Sequence, residues 1–258
     1  MAKEGKYTIQ KVTYIKQWTD HLFSFKITRE EAFKFIPGQF ARLGVKKEDN
    51  TIVWRPYSIV SADYDEELEF YSIVVPDGEF TQNLKNIKIN DDIYIDKTNY
   101  GLLTTDRFEN GKDLWFLSTG TGLAPFISIM YDFSIWEQYD KVILVHCARQ
   151  AEELTYQDTI NEFYTHEYYG ELVKDKLKYV KIVTRENSGA DLYGRITDLI
   201  ENKKLEDFVG VPFTVENSRV MICGNPQMVD DTRKLLATRG LTISRRGNPG
   251  NMAVENYW

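Results

Sequence analysis

A guanidinium, an aromatic ring and a hydroxyl lie within one tetrapeptide, Arg55, Pro56, Tyr57 and Ser58. A guanidinium can bind a phosphate, an aromatic face can stack on a flat ring, and a hydroxyl can hydrogen-bond to a ring nitrogen. Those three contacts are what a flavin site needs. The same tetrapeptide is also compatible with an ordinary exposed strand, so both interpretations stay open.

Two further segments join an apolar run to a helical pattern, where backbone N–H groups are available to a nucleotide. Residues 120–125 read Gly-Thr-Gly-Leu-Ala-Pro, with the proline suited to a first helical turn. This segment lacks the full Gly-x-Gly-x-x-Gly pattern, and a purely structural turn fits it equally well. Residues 223–228 read Cys-Gly-Asn-Pro-Gln-Met and place a thiol at the carboxyl end of a strand.

Three arginines follow apolar runs in the second half of the chain: Arg149, Arg185 and Arg195. In a doubly wound parallel sheet the strand ends meet at one crevice, and several arginines there favour a 2′-phosphate over a bare ribose. Exposed loops also commonly carry arginine, so a plain surface role stays open at this stage.

The 258 residues carry 32 basic and 39 acidic side chains, a net charge of −7. An acidic total disfavours nucleic acid as the main partner, because neutralising phosphates needs a basic face. The two cysteines, Cys147 and Cys223, are too few for a disulfide scaffold or an iron–sulfur site and favour the cytoplasm. His21, His146 and His166 lie in no nucleophile or metal motif, so we expect neither a metal site nor a hydrolytic triad.

Two stretches differ from the rest of the chain in charge. Residues 114–131 carry no charge, but two glycines and a proline interrupt them, so no membrane-spanning helix is expected. Residues 232–254 contain basic groups and no carboxylate. They form either a docking face for an acidic macromolecule or a solvated helix face followed by a basic loop. The basic residues are Arg233, Lys234, Arg239, Arg245 and Arg246.

Short runs of alternating apolar and polar residues fill the first 106 positions, which predicts antiparallel strands. Runs over residues 7–14, 22–27 and 39–45 are separated by turn signals at spacings suited to an antiparallel six-stranded β-barrel. The tetrapeptide 55–58 is expected between two strand-like runs, and one brief helix is expected at residues 80–86. The first domain is therefore predicted to be residues 1–106.

Apolar runs alternate with helical segments after residue 107, which predicts an α/β domain with a doubly wound parallel sheet over residues 107–258. Strands are predicted at residues 114–118, 141–147, 177–183 and 219–223. Helices are predicted at residues 124–139, 154–168, 196–201 and 226–239.

In order and spacing, residues 55–58, 70–73, 120–126 and 223–229 resemble the bacterial type of ferredoxin (or flavodoxin)–NADP reductase, a family that joins an FAD-binding barrel to an NADP-binding domain. The closing segment 254–258, Val-Glu-Asn-Tyr-Trp, is similar to the bacterial branch in particular. The resemblance covers nearly the whole chain. It implies hydride transfer between NADP(H) and FAD, and single-electron transfer between FAD and ferredoxin or flavodoxin.

The resemblance implies an FAD site in the barrel, with Tyr57 against the isoalloxazine and Ser58 near its N5. Residues 79–81 would offer N–H groups and a hydroxyl to the pyrophosphate, and Tyr257 and Trp258 would cover the flavin, so that Tyr257 must move to admit the nicotinamide. The implied FAD contacts are Arg55, Pro56, Tyr57, Ser58, Phe70, Tyr71, Ser72, Ile73, Glu79, Phe80, Thr81, Thr121, Tyr257 and Trp258.

The resemblance also implies an NADP site and a catalytic set of Ser58, Cys223 and Glu255, with Cys223 beside the nicotinamide. The implied NADP contacts are Ala148, Arg149, Thr184, Arg185, Arg195, Gly224, Asn225 and Gln227. Arg149, Arg185 and Arg195 would hold the 2′-phosphate end.

Ferredoxin or flavodoxin is the implied partner of the basic run 232–254, although extra residues around Gly247 leave this loop unaligned with the family. A monomer is expected. Two other functions stay open: an NAD(P)H-dependent reductase component serving an oxygenase or free flavin, and a redox-inactive two-domain binding protein. A fused ferredoxin domain with four cysteines would favour the first, and this sequence has none.

Overall fold

The structure, a computed structural model, describes residues 5–256. Six antiparallel strands form the first sheet, in the order β4-β3-β6-β1-β2-β5. They are β1 (Tyr7–Gln17), β2 (Leu22–Thr28), β3 (Phe40–Lys46), β4 (Ile52–Ser58), β5 (Glu67–Ile73) and β6 (Asp92–Asp96). The two edges meet at a bridge between Ile59 and Phe70, where the N–H of Val60 donates to the carbonyl of Glu69 at 2.9 Å. The predicted antiparallel six-stranded barrel is confirmed.

Alternate side chains of these strands point into one apolar core, as their period of two predicts. The short helix α1 (Glu79–Leu84) overlaps the predicted helical segment 80–86 and adds Phe80 and Leu84 to that core. The tetrapeptide 55–58, expected between two strands, instead forms the second half of β4. Because β4 is an edge strand, it tolerates Pro56, which cannot donate to a second neighbour.

The second sheet has six parallel strands in the order β10-β9-β8-β7-β11-β12. They are β7 (Asp113–Thr119), β8 (Lys141–Ala148), β9 (Leu177–Val183), β10 (Leu192–Tyr193), β11 (Ser218–Gly224) and β12 (Met252–Asn256). The chain runs from β7 outward to β10 and then returns to β11 on the other side of β7. The order therefore reverses between β7 and β11, where such sheets open a ligand crevice. The predicted doubly wound α/β fold is confirmed.

Seven helices accompany this sheet within residues 5–256: α2 (Ala124–Met130), α3 (Phe133–Gln138), α4 (Gln157–Glu162), α5 (Gly170–Lys176), α6 (Ile196–Glu201), α7 (Lys204–Val209) and α8 (Pro226–Thr238). The prediction of one helix over residues 124–139 was wrong. Asp132 leaves the helical conformation and accepts a hydrogen bond from the N–H of Ser134 at 2.9 Å, so it caps a new helix, α3.

The prediction of one helix over residues 154–168 was also wrong. Tyr156 has a left-handed backbone (φ +58°), and α4 starts only after it and gives way to a 3₁₀ turn at Phe163–Thr165. Helices α5 and α7 and strands β10 and β12 were not predicted, because each is short and carries no run long enough to show a period.

One face of the parallel sheet packs against the barrel. The side chains of Phe116 and Leu144 share a continuous apolar cluster with Leu22, Val60 and Tyr71 of the first domain. The chain passes between the domains through a 3₁₀ turn at Thr105–Arg107. The boundary between residues 106 and 107 stays a prediction. Across residues 5–256, no helix combines the length and apolar character that crossing a membrane requires.

Candidate functional site

A cleft of about 700 Å³ lies between the domains, at the carboxyl ends of the parallel strands. Leu22 and Ile73 of the barrel form one wall, and the loops that follow β7, β8, β9, β10 and β11 form the other. Every residue predicted to contact NADP lines this cleft, together with Thr121: Ala148, Arg149, Thr184, Arg185, Arg195, Gly224, Asn225 and Gln227. The topology thus brings together residues that are up to 79 positions apart (227 minus 148) in the sequence.

Two glycines allow the loops after β7 and β11 to approach each other closely at the floor of the cleft. A Cβ atom at Gly122 would lie 2.6 Å from the carbonyl carbon of Cys223, and one at Gly224 would lie 2.7 Å from the carbonyl oxygen of Thr119. Gly224 also has φ +134°. The N–H of Asn225 donates to Thr119 Oγ1 at 2.8 Å and joins the two loops. Neither position has room for a side chain.

The three cleft arginines carry uncompensated charge. Arg149, Arg185 and Arg195 are exposed. Within residues 5–256 their guanidinium groups make no hydrogen bond and no ion pair. The backbones of Arg149 and Arg185 are nevertheless fixed, since the N–H of Arg185 donates to the carbonyl of Arg149 at 2.9 Å. Unpaired guanidinium groups on a fixed backbone are suited to binding an anion.

Ser58, Cys223 and Glu255, the predicted catalytic set, meet where the barrel touches the end of β12. The hydroxyl of Ser58 donates to Glu255 Oε1 at 3.3 Å, and Glu255 is the register neighbour of Cys223 in the adjacent parallel strand. Gly101 (φ +106°) lies against the carboxylate, because a Cβ there would be 3.1 Å from Glu255 Oε2. Burial raises the pKa of the Glu255 carboxyl to about 7, although the Ser58 hydrogen bond acts in the opposite direction.

Tyr57 and Ser72 lie on neighbouring parts of the barrel and are joined by a hydrogen bond of 2.9 Å between their hydroxyls. Burial raises the pKa of Tyr57 to about 12, so the phenol stays protonated. Arg55 points outward, with a hydrogen bond from Nη1 to the carbonyl of Trp54 at 2.8 Å. A half-buried aromatic ring and an exposed guanidinium thus lie two residues apart on β4, and the hydroxyl of Tyr57 is held by Ser72.

The first turn of α1 has no side-chain cap, and the first N–H groups of a helix have no partner within it. Glu79 is exposed and pairs with Lys47 at 2.8 Å. Thr81 Oγ1 accepts a hydrogen bond from the N–H of Val75 at 3.0 Å, and Phe80 is buried. From this segment an external group could therefore contact backbone N–H groups more readily than side chains.

The structure places some predicted contacts away from the cleft. Phe70 is fully buried in the barrel core, 5.6 Å from the ring of Phe25. The hydroxyl of Tyr71 accepts a hydrogen bond from Thr155 at 2.8 Å, inside the domain interface. Any contact of these two residues with a bound ring would have to involve their backbone. Tyr257 and Trp258 lie outside the described residues.

Comparison with known proteins identifies both halves of the chain. The family profile described as "Oxidoreductase FAD-binding domain" matches residues 7–101, and the one described as "Oxidoreductase NAD-binding domain" matches residues 116–234. A ferredoxin–NADP reductase from Pseudomonas aeruginosa is 43% identical over 249 residues, which are 95% of each chain. The chain belongs to the ferredoxin–NADP reductase family.

Other members of this family support the assignment. A flavodoxin/ferredoxin–NADP reductase from Rhodobacter capsulatus is 40% identical over 95% of this chain and 91% of its own. The crystal structure of a ferredoxin NADP+ reductase from Neisseria gonorrhoeae with bound FAD and NADP superposes with a TM-score of 0.91 at 36% identity, over 99% of this chain and 100% of that one. The predicted family, fold and enzyme class are confirmed.

The residues present fit the two cofactors of a ferredoxin–NADP reductase. The ring of Tyr57, the exposed guanidinium of Arg55 and the uncapped first turn of α1 offer the kinds of contact that a flavin ring and a pyrophosphate need. The unpaired arginines of the cleft offer what a 2′-phosphate needs. The glycines at positions 122 and 224 let the backbones of the loops after β7 and β11 approach each other closely, at the place where a flat nicotinamide would enter.

Ion pairs compensate part of the positive charge of the basic run 232–254 in the folded protein. Arg233 and Lys234 each pair with Asp230 at 2.6 Å, and Arg239 pairs with Glu206 at 2.5 Å. These carboxylates lie outside the run, which is why the sequence pattern missed them. Arg245 and Arg246 remain exposed, without an ion pair among the described residues.

Thr119 and Glu153 are among the cleft residues that sequence reasoning missed. Thr119 joins the loops of β7 and β11, and Glu153 lines the wall beside Arg149. Thr119 lies between the predicted strand 114–118 and the glycine segment, a position that could have marked it. Glu153 gave no signal, because its contact with His21 depends on the docking of the two domains.

Glu255 is expected to make the protein less stable as the pH rises. Its pKa is higher in the folded state, about 7, than the ordinary 4.5. Its stabilising contribution is therefore present below pH 4.5 and is lost as the pH rises through 7. The variant Glu255→Gln cannot ionise at this position. Between about pH 5 and pH 8, the free energy of unfolding of wild type is therefore expected to fall by roughly 2–3 kcal/mol more than that of the variant. Urea unfolding of both proteins at the two pH values measures this difference, and equal losses would contradict the raised pKa.

Proposed function

We propose that this protein oxidises or reduces NADP(H) through a bound FAD and exchanges single electrons with ferredoxin or flavodoxin. The observation that carries the proposal is the interdomain cleft, which contains three unpaired arginines and two interlocked glycine loops. The Ser58 and Glu255 pair lies next to the end of β11, because Glu255 is the register neighbour of Cys223. When bound, FAD supplies the conversion between two-electron hydride transfer and one-electron transfer. The protein's own contribution is to bind, orient and exclude water.

In this proposal the parallel-sheet domain binds NADP(H) by its 2′-phosphate. Arg149, Arg185 and Arg195 supply the positive charge, and the loops ending in Thr121 and Gly224 receive the nicotinamide end. Cys223, buried at the end of β11, lies directly beneath the second loop. Several arginines in one cleft select the phosphorylated coenzyme, because each adds charge-assisted hydrogen bonds that a bare ribose cannot accept.

The barrel domain binds FAD in the same proposal. Tyr57 faces the flavin ring, Arg55 contacts a phosphate, and the first turn of α1 donates N–H groups to the pyrophosphate. The Ser58 hydroxyl and the Glu255 carboxyl hold a proton between them, and a pKa near 7 lets the carboxyl gain or release it at neutral pH. Tyr257 and Trp258 are proposed to cover the flavin, and removing both should change the preference for NADP over NAD.

Arg245 and Arg246 are the proposed docking residues for the acidic carrier. Arg233, Lys234 and Arg239 are no longer included, because each of them pairs with a carboxylate. The double alanine variant at positions 245 and 246 is expected to slow carrier reduction at low salt roughly three- to tenfold and to weaken its dependence on ionic strength. Reduction of a small dye should not change. Stopped-flow measurement with both acceptors over a range of salt concentrations checks this.

The matched control is the double alanine variant at Arg233 and Lys234. It changes the net charge by the same amount, but it removes cations that share an ion pair with Asp230. A control variant that slows the carrier as much as the docking variant would show that only the total charge matters. Slower reduction of the dye by the docking variant would likewise argue against a docking role.

We also propose that the protein acts as a monomer in the cytoplasm. The sequence has only two cysteines, Cys147 and Cys223, and both are buried, which is typical of proteins from a reducing compartment. Sedimentation of the purified protein and fractionation of the cells that contain it test the two statements.

The experiment that tests the proposed function is NADPH oxidation with ferredoxin and flavodoxin offered separately as acceptors. The purified protein should be yellow, and at least one carrier should be reduced faster than free flavin. A colourless protein that cannot take up FAD, or one that reduces free flavin alone, would contradict the proposal. The latter result would indicate a free-flavin reductase.

A further inference from the structure

One contact connects the barrel directly to the loop that carries the cleft arginines. His21 Nε2 lies 2.9 Å from Glu153 Oε1, although 132 residues separate the two in the sequence. His21 belongs to the turn between β1 and β2, and Glu153 lies in a 3₁₀ turn that follows β8 and lines the cleft. The Glu153 side chain is only 10% exposed.

The second carboxylate oxygen of Glu153 holds the backbone of the arginine loop. Oε2 accepts hydrogen bonds from the N–H of Arg149 at 2.9 Å and the N–H of Gln150 at 3.1 Å. The carbonyl of Arg149 in turn accepts the N–H of Arg185 at 2.9 Å. One carboxylate with three donors therefore fixes the segment from which Arg149 projects, and the segment of Arg185 is hydrogen-bonded to it.

His21 is itself held by the barrel. Its carbonyl accepts the N–H of Val74 at 2.7 Å, and Nδ1 lies 3.4 Å from Thr19 Oγ1. The imidazole therefore reaches Glu153 from a fixed position. Because both partners are anchored in different domains, the contact also sets the distance between the β1–β2 turn and the arginine loop.

Glu153 poses an electrostatic problem for an anion site. Burial raises the pKa of its carboxyl, but the hydrogen bonds from His21, Gln150 and Arg149 outweigh burial and leave the pKa below the ordinary value. An ionised carboxylate four residues from Arg149 could pair with that guanidinium or repel a phosphate. In the structure Arg149 has no such ion pair, because His21 and two backbone N–H groups occupy the carboxylate.

We propose that His21 is a positioning residue for recognition of the 2′-phosphate: by binding Glu153 it keeps that carboxylate away from Arg149 and holds the arginine loop in its binding conformation. The proposal rests on the proposed function, since it needs an NADP site. It makes coenzyme selection in one domain depend on a side chain from the other.

The test compares binding of 2′,5′-ADP and 5′-ADP to the FAD-loaded protein by titration calorimetry. His21→Ala is expected to weaken 2′,5′-ADP binding roughly three- to tenfold and to change 5′-ADP binding less than about twofold. His21→Gln places an amide donor near the position of Nε2 and is expected to restore most of the affinity. His21→Asn keeps a polar turn residue that is too short to reach Glu153, and it should behave like the alanine variant.

The matched control is Asp20→Ala, an exposed residue in the same turn whose side chain makes no hydrogen bond or ion pair within residues 5–256. It should bind both ligands as wild type does. Equal weakening of both ligands in the His21→Ala and His21→Asn variants would indicate general loosening of the domain interface and overturn the proposal, as would no change in either. A wild-type protein that does not distinguish the two ligands would instead overturn the proposed NADP specificity, and this inference with it.

Discussion

Alanine at Arg149 or Arg185 is expected to weaken NADPH binding roughly 10- to 150-fold, while NADH binding changes less than about threefold. Each variant removes a charge-assisted contact with the 2′-phosphate, typically about 1.5–3 kcal/mol. The effect should be large because neither guanidinium has an alternative partner among the described residues, so each charge is fully available to the ligand. Titration of both coenzymes at one fixed ionic strength measures it, since salt screens phosphate contacts.

Two further variants separate charge from geometry. Arg149→Lys keeps the charge but loses the planar fork of donors, so it should fall between wild type and the alanine variant. Arg246→Ala removes an exposed arginine outside the cleft and should bind both coenzymes as wild type does. If the cleft variants lost NADH and NADPH affinity equally, these arginines would not be the 2′-phosphate site.

Alanine at Gly224 is expected to destabilise the protein by roughly 2–5 kcal/mol and to remove most NADPH binding. The new methyl group would lie 2.7 Å from the carbonyl oxygen of Thr119 and would overlap Oγ1 of the same residue. It would also require φ +134°, a conformation that L side chains rarely adopt. The loops of β7 and β11 would have to separate, which opens the floor of the cleft. Urea unfolding and NADP+ titration of the variant measure the two effects.

Gly210→Ala is the control for this variant. Gly210 also has a positive φ, +74°, but a Cβ there would meet no atom within 4 Å. It should therefore cost only about 1–2 kcal/mol through backbone strain and leave NADP+ binding intact. If Gly224→Ala cost no more than this control, the close approach of the two loops would not matter to the fold.

The sequence predicted the fold class because both periodicities are strong. Alternation in the first domain and apolar runs in the second identified most strands, and the predicted bounds 177–183 and 196–201 coincide with β9 and α6. The errors occurred where a local interaction overrides a longer pattern. Asp132 interrupts an apolar stretch by capping α3, and strand β10, with two residues, is too short to show any period.

The sequence likewise predicted some residues of the candidate site and missed others. The meeting of Arg149, Arg185 and Arg195 follows from parallel-sheet topology, so strand positions alone sufficed to place them in one cleft. Contacts between the two domains could not be predicted from the sequence. His21 and Glu153 are 132 residues apart, and the residues around each give no sign that the two side chains meet. The same limit applies to the basic run, in which Arg233, Lys234 and Arg239 pair with Asp230 and Glu206 from outside it, while Arg245 and Arg246 do not.

The most direct measurement of the central claim is anaerobic rapid mixing of the FAD-loaded protein with NADPH or NADH, followed by mixing with oxidised ferredoxin or flavodoxin. NADPH is expected to bleach the flavin absorbance, NADH is expected to do so much more slowly, and at least one carrier is expected to restore the absorbance in single-electron steps. A flavin that NADPH leaves oxidised, or a reduced flavin that neither carrier reoxidises, would contradict the function proposed for this cleft.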